Sequence, residues 1–220
     1  QMSAKGGLFL TPVGILNETH EPPTFYGVER NPVEKQIIPA TWWEAGAAFN
    51  HRMGNGLAYD LALHSGLYSD DYNIRGGRQK VAKAKADALA YTARIQWSGV
   101  PGLVLAASLN HQSDIRQGTT PEEVSADLLE THAIYTTGPF SLRALYAQWQ
   151  LDDDGTAAGQ DEQHGWYIEP GYKLSQKWGL FARYNIWDMQ AGDEADSEYQ
   201  QTGLGINYWP HRDVVCLLYT

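Results

Sequence analysis

The chain has 220 residues, enough for one all-β domain, and its 26 acidic and 16 basic side chains leave a formal charge of −10. That balance argues against a nucleic-acid partner, whose phosphates call for a basic face. The single cysteine, Cys216, excludes an intrachain disulfide framework and gives no metal-site spacing, and no apolar run approaches the ~20 residues of a spanning helix.

Eleven segments are strand candidates, most of them with the period-two alternation of a strand. The first, 6–13, is followed by a long connection, 14–40. The second, 41–50, sets Trp43, Ala45, Ala47 and Phe49 against Glu44, Gly46, Ala48 and Asn50, and Gly54-Asn55-Gly56 signals a tight turn. The third, 57–67, opposes Leu57, Tyr59, Leu61 and Leu63 to Asp60 and His64, and a long connection covers 69–86. The fourth, 87–98, puts Leu89, Tyr91, Ala93, Ile95 and Trp97 against Thr92, Arg94 and Gln96, before a turn at Val100-Pro101-Gly102. The fifth, 103–111, has Leu103, Leu105, Ala107 and Leu109 against Ser108 and Asn110, and 112–125 is a polar loop. The sixth, 127–136, has Leu129, Thr131, Ala133 and Tyr135 against Glu130 and His132, and Thr137-Gly138-Pro139 turns the chain. The seventh, 140–151, has an ambiguous facing, because Arg143 shares a parity with Leu145 and Trp149.

After the acidic loop 152–163 comes the clearest pattern, HGWYIEPGYKLSQKWGLFARYNIW (164–187). Trp166, Ile168, Pro170, Tyr172 and Leu174 oppose Tyr167, Glu169, Gly171 and Lys173. Beyond Ser175-Gln176-Lys177, Trp178, Leu180, Ala182, Tyr184 and Ile186 oppose Gly179, Phe181, Arg183, Asn185 and Trp187. This reads as an antiparallel hairpin with one greasy and one polar face. Loop 188–198 is acidic again. The tenth strand, 199–209, alternates Thr202, Leu204, Ile206 and Tyr208 with Gly203, Gly205 and Asn207. Pro210-His211-Arg212 turns into the last, 214–219, where Val214, Val215, Cys216, Leu217 and Leu218 do not alternate.

The connections run long, short, long, short throughout, the asymmetry of outer-membrane barrels with short periplasmic turns and long outer loops. Strands of about 9–11 residues suit a tilted crossing of the bilayer. The pattern predicts an all-β, antiparallel up-and-down transmembrane β-barrel with about eleven strands visible, the greasy face toward lipid and the polar face toward a lumen. On that facing, Leu180, Ala182, Tyr184 and Ile186 point to lipid, and Arg183 and Asn185 inward. The rival is a secreted β-rich sugar-binding protein using its 8 Trp and 13 Tyr as stacking platforms. An outer-membrane hydrolase is a third reading, but no nucleophile elbow, phosphate loop or Ser/His/Asp pattern is visible.

Strand parity leaves the eleventh strand rising, whereas bacterial single-chain barrels usually have even strand numbers. The expectation is one barrel domain over 1–220, incomplete at one or both ends. Without a signal peptide and starting at Gln1 close to a strand, the chain reads as a processed or truncated product.

Four stretches resemble the porin family of Gram-negative outer membranes that includes the phosphate-selective porins. They are GLFLTPVGILNETHEPPTFYGVERNPVEKQIIPATWWEAG (7–46), GRQKVAKAKADALAYTARIQW (77–97), HGWYIEPGYKLSQKWGLFARYNIWD (164–188) and LGINYWPHRDVV (204–215). The resemblance covers most of the chain and places it in the C-terminal half to two-thirds of a longer porin. It implies a non-enzymatic channel for passive diffusion of small hydrophilic solutes or inorganic anions such as phosphate, without a cofactor. It also implies a Gram-negative outer-membrane location among lipid and lipopolysaccharide, and a homotrimer. The family's usual closing strand with a terminal aromatic is absent here.

Pore-lining candidates are the ionisable residues of polar parity: Glu44, Asp60, His64, Arg94, Glu130, His132, Glu169, Lys173 and Arg183. Arg94, Lys173 and Arg183 are the expected anion contacts. Loop 14–40 supplies constriction candidates Glu18, Glu21, Glu29, Arg30, Glu34 and Lys35, with His20 beside them and Pro22, Pro23, Pro32 and Pro39 as stiffeners. Opposed acids and bases there would set up a transverse field that sorts solutes by charge. Two placements stay open: folded into the lumen, or lying over the barrel mouth. The basic run Arg75, Arg78, Lys80, Lys83 and Lys85 could meet anions or lipopolysaccharide phosphates. Asp152-Asp153-Asp154-Gly155 with Asp161 and Glu162 could hold a divalent cation but lacks the spacing of a calcium hand. No metal site is predicted.

Overall fold

The computed structural model describes residues 1–21, 24–152, 159–194, 197–211 and 214–219. It contains eleven strands: β1 (Met2–Leu10), β2 (Trp43–Arg52), β3 (Leu57–Ser65), β4 (Leu89–Trp97), β5 (Leu103–Gln112), β6 (Ala126–Thr137), β7 (Phe140–Leu151), β8 (Glu162–Lys173), β9 (Trp178–Asp188), β10 (Tyr199–His211) and β11 (Val214–Tyr219). Each pairs antiparallel with its sequence neighbour, so one sheet runs in order from β1 to β11. The sheet is open: β1 pairs with β2 and β11 with β10, and no ladder joins β1 to β11 among the described residues.

Strand β1 lies earlier than the alternation suggests. Beyond Thr11, whose N–H still donates to Trp42 O at 3.0 Å, the chain leaves the ladder, with Val13 N–H turning back onto Thr11 O at 2.8 Å. Pro12 has no N–H to give to a neighbour, so the strand stops before it. The connection that follows is therefore 11–42. Strand β11 shows why its sequence fails to alternate. A register shift falls between Tyr208 and His211, and Leu217 pairs with Asn207 on the inner parity. Apolar side chains thus occupy both faces of this edge strand.

The outer face is a hydrocarbon surface. Leu61, Tyr91, Ile95, Leu109, Leu129, Ile168, Leu180, Leu204 and Ile206 are all exposed on it. Aromatics collect at its two heights. Toward the short turns stand Trp97, Tyr135, Tyr172 and Trp178, the last stacked on Tyr208 at 4.4 Å. Toward the long loops, Trp166 meets Tyr184 edge to face at 5.6 Å. Two aromatic girdles around an apolar band are what the headgroup interfaces select. Arg183 and Asn185 are buried on the opposite face, while Leu180, Ala182, Tyr184 and Ile186 lie outside.

The core sits on the inner face. Leu128, Leu145, Trp149, Leu151 and Tyr167 project from β6, β7 and β8 and bury against Val13, Leu16, Val33, Ile37, Ile38 and Trp42 of connection 11–42. This settles the facing of β7: Arg143 does share the inner side with Leu145 and Trp149. That side is greasy because a greasy segment covers it.

Candidate functional site

Connection 11–42 closes on itself before it meets the wall. Asn17 Nδ2 donates to Thr11 O at 2.8 Å and Trp42 O at 2.9 Å, and Asn17 Oδ1 accepts from Trp42 N–H at 2.6 Å. One amide therefore staples the two ends of the loop. Pro32 precedes a single π-helical turn, Val33–Ile37, and Asn31 Oδ1 accepts from Glu34 N–H at 2.9 Å. Proline's fixed φ suits a helix start. The turn directs Val33, Glu34 and Ile37 inward.

The loop is then fixed across the inner wall from β4 to β9. Glu18 pairs with Arg94 on β4. Gly14 N–H donates to Glu130 on β6 at 3.3 Å, and Trp149 Nε1 on β7 donates to Ile37 O at 2.9 Å. Tyr167 Oη on β8 donates to Glu34 at 2.7 Å, and Arg183 Nη2 on β9 donates to Tyr26 O at 2.6 Å. The loop tip approaches β8 so closely that a Cβ at Gly171 would lie 2.7 Å from the Tyr26 ring. Beside the tip, Gly27 takes a φ of +83°, where a side chain would be strained. Of the two placements open to the sequence, the structure has the loop folded onto the inner face.

Glu34 is the hub. Its carboxylate also accepts from Ile15 N–H at 2.9 Å and from Leu16 N–H. Burial pushes its carboxyl above the usual range, opposed by the hydrogen bonds from Leu16 and Tyr167. On the loop's exposed rim the reverse holds: Lys35 lies 2.7 Å from Glu29 and lowers that carboxyl. Glu21 is exposed and Arg30 half-buried on the same rim. Glu34 is therefore apart from the other constriction candidates, holding the loop to the wall with no exposure to a solute.

Most pore-lining candidates are likewise occupied. Glu44 is wholly buried and accepts from Trp42 Nε1 at 2.8 Å and Ser65 Oγ at 2.6 Å. His64 bridges Ser65 O at 3.0 Å and Thr92 Oγ1 at 2.8 Å. Glu130 and His132 pair at 2.6 Å. Arg94 is shared between Glu18 and Asp60, the latter at 2.8 Å. Arg183 is held by Glu169 and Tyr26 O. The expectation that Arg94 and Arg183 contact anions meets a physical obstacle: both are over 90% buried and their donors already face carboxylates. Lys173, by contrast, is exposed.

The basic run 75–85 is partly structural. Arg75 donates to Lys35 O and Arg78 to Thr41 O at 3.2 Å, clasping the loop from 66–88. Burial lowers both guanidinium pKa values. In the acidic stretches, Asp153, Asp154, Gly155 and Asp196 lie outside the described residues, as do Pro22, Pro23 and Arg212, and no metal-binding cluster occurs among the described ones. Two cavities flank the loop core. One, about 580 Å³, lies at the long-loop end among Asn73, Arg75, Gln163 and Asp188. The other, about 570 Å³, lies at the short-turn end among Tyr26, Arg143, Lys173, Lys177 and Trp209.

Sequence reasoning missed the apolar anchors Trp42, Trp149 and Tyr167. A signal was there: Leu145 and Trp149 on the parity of Arg143, and Ile37-Ile38 within a nominally polar loop.

Comparison with known proteins follows the same lines. The model of a Gram-negative porin family matches residues 36–215. An uncharacterized protein of Aquifex aeolicus (strain VF5) is 26% identical over 240 residues, covering 94% of this chain and 55% of the relative. The chain thus spans about half the length of the curated relative it matches. Among solved structures, a loop L8 deletion mutant of OmpT, an outer membrane protein of Vibrio cholerae, aligns with a TM-score of 0.58 at 13% identity, over 94% of this chain and 65% of its own. A porin aligns with a TM-score of 0.54 at 12% identity, over 80% of this chain and 55% of its own. At such identities these two structures speak to the fold.

Proposed function

Because the chain belongs to the Gram-negative porin family, we propose that it forms the wall and constriction loop of a water-filled channel for passive diffusion of small hydrophilic solutes. Its place is the Gram-negative outer membrane, and the apolar band between aromatic girdles suits that location. The observation that carries the reading is the folding of 11–42 onto the inner face, anchored by Glu18, Glu34 and Tyr26. A loop so placed narrows the lumen without filling it, and its rim of exposed Glu18, Glu21 and Glu29 and half-buried Arg30 and Lys35 faces what remains. The charges of that rim and of the wall sort solutes, and no reaction is involved. Any preference for anions such as phosphate rests in this reading on Lys173 and the cations near it, since Arg94 and Arg183 are neutralised locally.

The open edges of β1 and β11 call for a partner in hydrocarbon, where each unpaired backbone group costs several kcal/mol. In this reading further strands of one barrel domain cover them, and the barrels assemble as a homotrimer among lipopolysaccharide. The test is single-channel recording of the full-length protein in planar bilayers. Stepwise ohmic conductance in simple salts is expected, and a detergent-independent soluble protein without conductance would refute the channel.

A further inference from the structure

The short-turn cavity is one part of the inner wall that the loop leaves open. It lies between residues 24–26 of the loop tip and the ends of β6 to β10. Arg143, Lys173 and Lys177 line it, and none of its described lining residues is acidic. Arg143 is partly compensated, with Glu169 at 3.5 Å and Thr24 O accepting at 2.8 Å. Lys173 and Lys177 are exposed, and among the described residues neither makes an ion pair. Aromatic faces stand beside these cations. Lys173 Nζ lies 6.0 Å from the Trp209 ring, and the Arg143 guanidinium 5.9 Å from the Tyr26 ring. Tyr26 and Trp209 meet edge to face at 6.2 Å.

We propose that this vestibule binds planar aromatic carboxylates, the carboxylate on Lys173 and Lys177 and the ring against Trp209. Two features of the cavity select that class. Its unmatched cations favour an anion, and its volume, about 570 Å³, is that of an organic-ligand pocket, so that a small inorganic anion would leave most of it to water. A flat ring displaces that water and gains contact with Trp209, while its carboxylate takes charge-assisted hydrogen bonds from the ammonium groups. Neutral aromatics lack the second interaction and inorganic anions the first. The proposal depends on the channel reading only for the route by which such solutes arrive.

The experiment measures equilibrium binding of benzoate, benzamide and inorganic phosphate to the full-length protein in detergent, by calorimetry. Saturable benzoate binding is expected, with benzamide and phosphate each weaker by about tenfold or more. The pair Lys173→Gln and Lys177→Gln should weaken benzoate by a similar factor, and Trp209→Leu should weaken benzoate while leaving phosphate unchanged. Benzamide or phosphate binding as tightly as benzoate overturns the proposal, as does indifference of benzoate to Trp209→Leu. Conductance is recorded in parallel. A conducting protein that does not bind benzoate removes this inference alone, and a benzoate-binding protein that does not conduct removes the channel alone.

Discussion

Arg94 and Arg183 stand on the same inner wall as Lys173, yet the two kinds of cation do different work. The arginines lie under connection 11–42, where Glu18, Asp60, Glu169 and the Tyr26 carbonyl take up their donors. Lys173 lies past the loop tip, near the short turns, and stays exposed. A polar parity fixes which way a side chain points. What covers that face decides whether a solute can reach it. Covered cations become fasteners, and uncovered ones set the field in the lumen.

The largest effect should come from breaking a fastener. Arg183→Gln leaves Glu169 buried with only the more distant Arg143 and removes the donor to Tyr26 O. Loss of one partner of a buried pair costs about 3–5 kcal/mol. Thermal unfolding in detergent should show that loss, and Glu169→Gln combined with Arg183→Gln should recover much of it. A single variant as stable as the parent would mean that Arg183 is not a fastener.

Glu34 should follow. Glu34→Ala strands the N–H groups of Ile15 and Leu16 and the Tyr167 hydroxyl, and water admitted to the space the carboxylate leaves should hold the net loss to about 1–3 kcal/mol. Glu34→Gln should be milder, because its amide oxygen still accepts and its NH₂ can donate to Tyr167 Oη. Protease cleavage within 11–42 is the readout, expected to rise in the order parent, Gln, Ala. Cleavage in a Glu29→Ala control as fast as in Glu34→Ala would show that loop charge matters, and that burial of the hub does not.

Gly171→Val tests the loop tip more gently. The new Cβ would press on the Tyr26 ring at 2.7 Å and on Ser141 Oγ at 2.6 Å. Overpacking of this kind costs about 1–3 kcal/mol. Adding Tyr26→Ala should relieve the clash and restore part of the stability. No recovery would place the strain elsewhere than at the tip.

The wall was far more legible in the sequence than the loop. In β8 and β9, Trp166, Ile168, Leu180 and Tyr184 alternate with Tyr167, Glu169, Phe181 and Arg183, because lipid and lumen impose opposite chemistry on successive residues. The loop has no such period. Its fold depends on Asn17 meeting Trp42 and on Glu34 meeting Tyr167, pairings between residues far apart in the chain. Strand β7 held the missing clue, since Leu145 and Trp149 on the side of Arg143 make sense only under an apolar cover. Strand β1 was misplaced because the alternation of Met2 and Ala4 with Ser3 and Lys5 is short and ends in two glycines, and its pairing with Ala47–His51 is what defines it.

The smallest structural effect, and the sharpest contrast with Arg183, belongs to Lys173. Lys173→Gln removes an exposed ammonium without an ion-pair partner among the described residues. Surface changes of this kind stay within about 0.5 kcal/mol of the parent in stability. The field in the lumen should nonetheless change, since a unit charge acts on an ion about 4 Å away with about 1 kcal/mol in water. The reversal potential under a potassium chloride gradient should therefore move toward cation preference, further when Lys177→Gln is added. Salt separates the two roles. The Debye length falls from about 10 Å at 0.1 M to about 3 Å at 1 M, so the Lys173 effect should fade in concentrated salt. The loss of stability in Arg183→Gln should persist there, because a buried pair is screened much less. A shift undiminished at about 1 M would mean that Lys173 does not act through a screened field, and no shift at any salt would place this ammonium outside the conducting path.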